Sequence, residues 1–194
     1  MSQIAQYDQI ENPYSSTATL EPAADASESE LRAFVGPRSD FYLRKWAPRL
    51  ADSSGDCGMN WAAFFLTSFW LAYRKMYAAT FVYYAAIILL MIAEQFVFVV
   101  LIGSAVPGAV GLIVNLLVCL VCGLYGNAWY LAHTRGKIAA ARKQGLQDEP
   151  LLIHLMNRGG TSLLSAFGLN FLISMVLGIA VAIVVIAAVA ARGM

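Results

Sequence analysis

The sequence predicts an all-α integral membrane protein with three transmembrane helices, an aromatic amphipathic interfacial helix and a disordered N-terminal tail. Three observations carry this. The 194 residues are 59% hydrophobic and 13% charged, whereas soluble domains run near a quarter charged. From Tyr77 to Tyr130 the only charged residue is Glu94. That stretch supplies two crossings of a hydrocarbon core roughly 30 Å thick at about 20 residues each, with a break at Gly103-Ser104-Ala105-Val106-Pro107-Gly108. Residues 159–191 carry no charge at all and supply a third crossing.

Three regions follow: an acidic tail over 1–30, a juxtamembrane segment over 31–58 and a membrane domain over 59–194. The tail holds six acids (Asp8, Glu11, Glu21, Asp25, Glu28 and Glu30) and no Lys or Arg. Rich in Ser, Ala, Glu and Pro, it has too little apolar surface to offset the cost of ordering. Its polar start does not read as a signal peptide. All thirteen basic residues lie from Arg32 onward, a distribution suited to anionic headgroups. No basic face interleaved with exposed aromatics remains to suggest nucleic acid.

In the juxtamembrane segment Ser39 is the expected N-cap of a short helix over 40–46. Phe41, Tyr42 and Trp46, beside Arg44, Lys45 and Arg49, suit the headgroup region. Residues 51–58 form a loop. Asn60 then caps a helix beginning at Trp61. At 100° per residue Thr67, Ser68, Arg74 and Lys75 share one sector, and aromatic residues fill the rest. The expected result is an interfacial helix over 60–77, anchored by Trp61, Trp70, Arg74 and Lys75. A straight helix from Trp61 to Ile102 would be about 63 Å long, so the chain should bend near 74–77. Trp129, near the end of span 2, is expected to be a further interfacial anchor.

The expected spans cover about 79–102, 108–131 and 163–191. The second is expected to continue as a helix toward Lys143 and to stop at Gly145. Asp148-Glu149-Pro150 reads as a turn and 151–157 as a short amphipathic piece. Arg158-Gly159-Gly160 breaks it, and Thr161 or Ser162 caps the third span. Lys and Arg flank the start of span 1 and fill the segment between spans 2 and 3. The positive-inside rule therefore puts the N-terminus and 132–160 in the cytoplasm and the C-terminus on the outer side.

The strings GPRSDFYLRKW, NWAAFFLTSFWLAYRKMY and GNAWYLAHTRGKI resemble a family of small bacterial membrane proteins, the domain of unknown function 2628. The resemblance covers about residues 35–140. It implies a multi-pass protein of the bacterial inner membrane and brings no activity, cofactor or catalytic residue with it.

Polar groups inside a bilayer should face other helices. Span 2 repeats small or polar residues at i+4 (Gly111, Asn115, Cys119, Gly123, Asn127), and span 3 repeats Asn170, Ser174, Gly178 and Ala182. These stripes allow close approach and are expected to face each other. Helix depths place Glu94 level with Asn115, so Glu94 should bond Asn115 or the Gln95 of a neighbour. An intramembrane carboxylate is a functional candidate by default. The plainer alternative is a protonated packing residue, because a proton relay usually needs several acids or His in series. Cys119-Leu-Val-Cys122 lacks the βαβ context of a redox motif and reads as two small packed residues. His133 and His154 are separate, so no metal site is expected.

No cofactor or small-molecule ligand is indicated, and no nucleophile–base pair suggests an enzyme. The expected partners are the lipid bilayer and another membrane protein or a second copy. The expected function is a non-enzymatic subunit, scaffold or partner-binding protein. A transporter or channel component using Glu94 and the intramembrane Asn residues is the alternative.

Overall fold

The computed structural model describes residues 26–192, which contain helices and no strand. In chain order these are α1 (Glu28–Val35), α2 (Ser39–Ala51), α3 (Trp61–Leu66), α4 (Ser68–Tyr73), α5 (Tyr77–Gln95), α6 (Gly108–Lys143), α7 (Asp148–Arg158) and α8 (Leu163–Arg192). A π-helical segment, Phe96–Ile102, prolongs α5. Three helices, Tyr77–Ile102, Gly108–Lys143 and the Leu163–Ile183 part of α8, are long and apolar enough to cross a membrane. The buried core lies at one end of them. Leu31, Phe34, Trp46, Tyr130, Ile138 and Leu155 meet there, and α1–α4, the second half of α6 and α7 form a helical cap around them. All Lys and Arg residues except Arg192 belong to this cap.

The expected tail over 1–30 falls mostly outside the described residues, but its last part is a correction. Ser27 and Glu30 form a reciprocal capping box that starts α1, satisfying two otherwise orphaned N–H groups. Glu30 is 6% exposed. It accepts from Arg142 at both oxygens, Nε to Oε1 at 2.9 Å and Nη2 to Oε2 at 2.6 Å. A segment acidic in composition thus spends one carboxylate on pinning α1 to α6. Burial pushes the Glu30 carboxyl up, but the bonds from Arg142 and Ser27 outweigh it, and the net direction is below the ordinary 4.5. A carboxyl depressed in the folded state adds stability above its unfolded pKa and loses it as pH falls through the folded one. Acidification below about pH 4 is therefore expected to release α1, read as faster proteolysis between α1 and α2. Glu30→Gln should cleave at the acid rate already at neutral pH, and a wild-type rate flat down to pH 3 would contradict the clasp.

α2 is longer than expected, and Ser39 is its first residue, with Arg38 at the N-cap. Tyr42 and Trp46, four residues apart on one helix face, are 4% and 0% exposed. They are core residues, not headgroup anchors. Asn60 caps α3 as expected, its side chain accepting from Ala63 N at 2.9 Å. The single interfacial helix over 60–77 is not there. Thr67, at φ 38° and ψ −109°, divides it into α3 and α4, an unusual conformation for a β-branched residue. The break lets the two halves serve different neighbours: α3 packs on α6, while α4 packs on α5 and α8. Trp70 and Arg74 are accordingly buried, at 3% and 2% exposure, and do not anchor the interface.

The expected bend at 74–77 is present. Arg74 ends α4, Lys75 takes φ 57°, and Met76 precedes α5. α6 is one rod of 36 residues, about 54 Å long. Its buried positions begin only at Cys122, so its first half projects out of the cap. Asp148, Glu149 and Pro150 are the first turn of α7 rather than a separate turn. Gly159 must lack a side chain, because a Cβ there would lie 2.0 Å from the Phe34 carbonyl oxygen. That same oxygen accepts from Gly160 N at 2.7 Å. Ser162 caps α8, its Oγ accepting from Ser165 N at 3.1 Å.

The pairing of spans 2 and 3 is also corrected. α6 and α8 make no extended contact, and neither packs along α5. The helices are tied at their cap ends instead. Tyr77 Oη and Ser165 Oγ lie 2.8 Å apart, and Tyr84 Oη donates to Asn170 Oδ1 at 2.7 Å. Beyond the cap the apolar surfaces of all three are exposed.

Candidate functional site

Two buried polar arrangements hold the cap over the spans. The first centres on Asn127 of α6, which is 1% exposed. Its Nδ2 donates to the carbonyls of Cys57 and Gly58 at 3.1 and 2.9 Å. Its Oδ1 accepts from Asn60 Nδ2 at 2.9 Å, and its backbone oxygen accepts from Trp46 Nε1 at 2.9 Å. Two carbonyls at one end fix which end of the amide carries the NH2. One residue thus joins α2, the 57–60 loop, the α3 cap and α6. The α3–α6 approach is close because Gly123 and Gly126 leave room: a Cβ at Gly126 would lie 2.8 Å from Ala63 Cβ, and one at Gly123 would lie 2.5 Å from Met59 Cε.

The second arrangement surrounds Arg74. Its guanidinium carbon lies 4.5 Å from the ring centre of Tyr42, 5.0 Å from Tyr130 and 5.7 Å from Tyr73. Trp46 and Trp70 pack edgewise or tilted on Tyr130 at 5.4 and 6.1 Å, completing an aromatic box. Arg74 Nε and Nη1 are buried without a hydrogen-bond partner among the described residues, and no carboxylate pairs with the group there. A desolvated cation normally needs a counter-charge; here the ring faces offset the burial. The weak hydration and planar shape of guanidinium suit it to that place.

The other expected site residues are scattered. Glu94 is half-buried and Gln95 exposed, and neither forms a side-chain hydrogen bond with Asn115 among the described residues. Asn115 is exposed, and among the described residues its side chain accepts one weak bond, from Cys119 Sγ at 3.9 Å. Ser174, Gly178 and Ala182 are exposed. An added Cβ at Gly111 or Gly178 meets nothing within 4 Å. Trp61 and Trp129 are 63% and 38% exposed. Gly123 and Asn127 are buried against α3 and the loop before it, and Asn170 is buried on α8, where it meets Tyr84 of α5. Lys75 turns inward, its Nζ donating to Gly159 O at 2.6 Å. The three cysteines are free thiols.

Residues 37–135 match the family described as Protein of unknown function (DUF2628). The chain belongs to that family. The matched DUF2628 region runs from just before α2 into the cap half of α6 and ends there at residue 135. It contains the whole Asn127 arrangement and the whole Arg74 box, and it leaves out α1, α7 and α8. No curated protein and no solved structure matches the chain.

The Arg74 box and the Asn127 junction were not assembled by sequence reasoning. A signal for the first existed in Tyr42 and Trp46 at i, i+4 on a helix otherwise rich in charge, which marks one apolar face. Nothing local marked Arg74 as its occupant.

Proposed function

We propose that this chain is a non-enzymatic, multi-pass subunit or scaffold of a bacterial inner membrane, whose spans associate laterally with the helices of a second copy or another membrane protein. One observation carries the reading. The three apolar helices are joined at the cap and leave Gly111 and Gly178 with no neighbour within 4 Å. Small residues permit close helix approach in lipid, and among the described residues no other helix uses Gly111 or Gly178 in this way. The concentration of Lys and Arg in the cap supports a cytoplasmic cap and N-terminus, with the C-terminus outside. Protease added to the outer face of intact cells should then leave the cap uncut.

The assembly is tested by crosslinking in native membranes followed by native electrophoresis. Gly111→Leu with Gly178→Leu should abolish the higher-mass band while leaving the melting temperature of the purified chain unchanged. A wild type that is strictly monomeric and free of co-purifying protein would overturn the proposal.

A transporter or channel component is favoured by a separate observation: Glu94 is half-buried and lies two residues before the π-helical Phe96–Ile102. Such segments often occur at functional sites. Flux into liposomes that disappears in Glu94→Gln would support this reading, and flux absent from the wild type would reject it.

A further inference from the structure

The cap contains a cavity of about 590 Å³ between α1, α6, α7 and the α4–α5 bend. Five basic side chains line it: Lys75, His133, Lys137, His154 and Arg158. No carboxylate does. Lys and Arg alone bring three positive charges to one concavity, which focuses a positive potential there that attracts an anion. Gln144, Asn157 and the Tyr77 hydroxyl add neutral donors. Glu30 does not neutralise the site, because its carboxylate is already held by Arg142.

The geometry points to an anion site for a phosphate-bearing group. The donor set is mixed and comes from three directions, from the bend, α6 and α7, which suits an anion presenting several oxygens better than a single carboxylate. Arg158 can offer the fork that phosphate oxygens accept. Lys75 is fixed by its bond to Gly159 O, which leaves two of its three donors for a ligand. Its backbone takes a left-handed φ of 57°, a strained conformation that persists only where surrounding contacts enforce it. Phe34, Ala140 and Leu155 give the cavity an apolar side.

Position says where the group comes from. Tyr77 lines the cavity and is also the first residue of α5, and its hydroxyl contacts Ser165 in the first turn of α8. The cavity therefore lies at the level where two apolar helices leave the cap. Basic pockets at that level receive lipid headgroups. A soluble phosphate compound would satisfy the same donors, so the test separates the two sources. The site does not depend on whether the spans self-associate, and it draws on α7, outside the matched family region.

The test uses the full chain in a neutral detergent, titrated calorimetrically with short-chain phosphatidylglycerol, phosphatidylcholine and inorganic phosphate. Phosphatidylglycerol should bind most tightly. Lys137→Gln with Arg158→Gln should weaken it by roughly tenfold or more, since two charge-assisted contacts are lost. Both side chains are exposed, so folding is preserved, and Lys137→Arg should retain binding. The control pair Arg38→Gln with Lys143→Gln, exposed cap cations outside the cavity, should change little. Inorganic phosphate binding at least as tightly as phosphatidylglycerol, with the same sensitivity to the cavity variants, assigns the site to a soluble phosphate compound. No binding of either anion, or equal weakening by the cavity and control pairs, overturns the proposal.

Discussion

Replacing Asn127 with leucine is expected to destabilise the protein by about 4 kcal/mol, the largest loss from any single polar position. Leucine has the same branched skeleton but bulkier ends, so overpacking at this fully buried site adds to the loss. The larger part is the loss of the three bonds made by the Asn127 side chain, while the Trp46 bond to its backbone oxygen remains. The carbonyls of Cys57 and Gly58 lose their donor, and Asn60 Nδ2 loses its acceptor. Each buried group left unpaired costs about 1–3 kcal/mol. Asn127→Asp is expected to be as harmful, because it retains the acceptor for Asn60 but turns a second acceptor toward two carbonyls. Asn115→Ala, at an exposed site with one weak contact, should stay within about 0.5 kcal/mol. Chemical denaturation of the purified chain measures all three. A leucine variant within about 1 kcal/mol of wild type would mean that the junction does not hold the cap.

Arg74 gives the second large effect, and the order of its variants is the informative part. Arg74→Ala should cost about 3 kcal/mol by opening a cavity between Tyr42 and Tyr130 and removing the cation from their faces. Arg74→Lys should cost nearly as much. An ammonium cannot lie flat between two rings, is more strongly hydrated, and would bring three donors into a place where two guanidinium nitrogens already lack partners. Arg74→Met should recover most of the loss, because a long, polarisable thioether fills the same slot and packs well on aromatic edges with no charge to desolvate. Full stability in the lysine variant would show that the box recognises charge rather than a plane.

The fold class was legible because it depends on local composition. One charge between Tyr77 and Tyr130, and none over 159–191, forces apolar helices whatever surrounds them. Asn60, Ser162 and the bend after Arg74 were legible for the same reason: caps and breaks are local chemistry. The site was not. Composition treats Arg74, Trp70 and Trp46 as natural interfacial residues, and only the break at Thr67 turns the first two into the cap. Glu30 looked like one more acid in a polar tail, because its partner Arg142 lies 112 residues away. The i+4 stripes were correctly seen as small and polar, but their destinations differ along one helix. Gly123 and Asn127 face α3 and the loop before it, while Gly111 has nothing among the described residues within 4 Å of an added Cβ. Spacing sets a face and cannot say what the face meets.

The hold on α1 has a consequence for biogenesis. Glu30 grips Arg142, and the Phe34 carbonyl is capped by Gly160, residues translated only after two apolar helices have been made. During synthesis, therefore, the first cap helix has no docking partner while those helices are being threaded into the bilayer. The clasp on α1 can close only after those two helices have been made, so their insertion never has to unravel a finished domain.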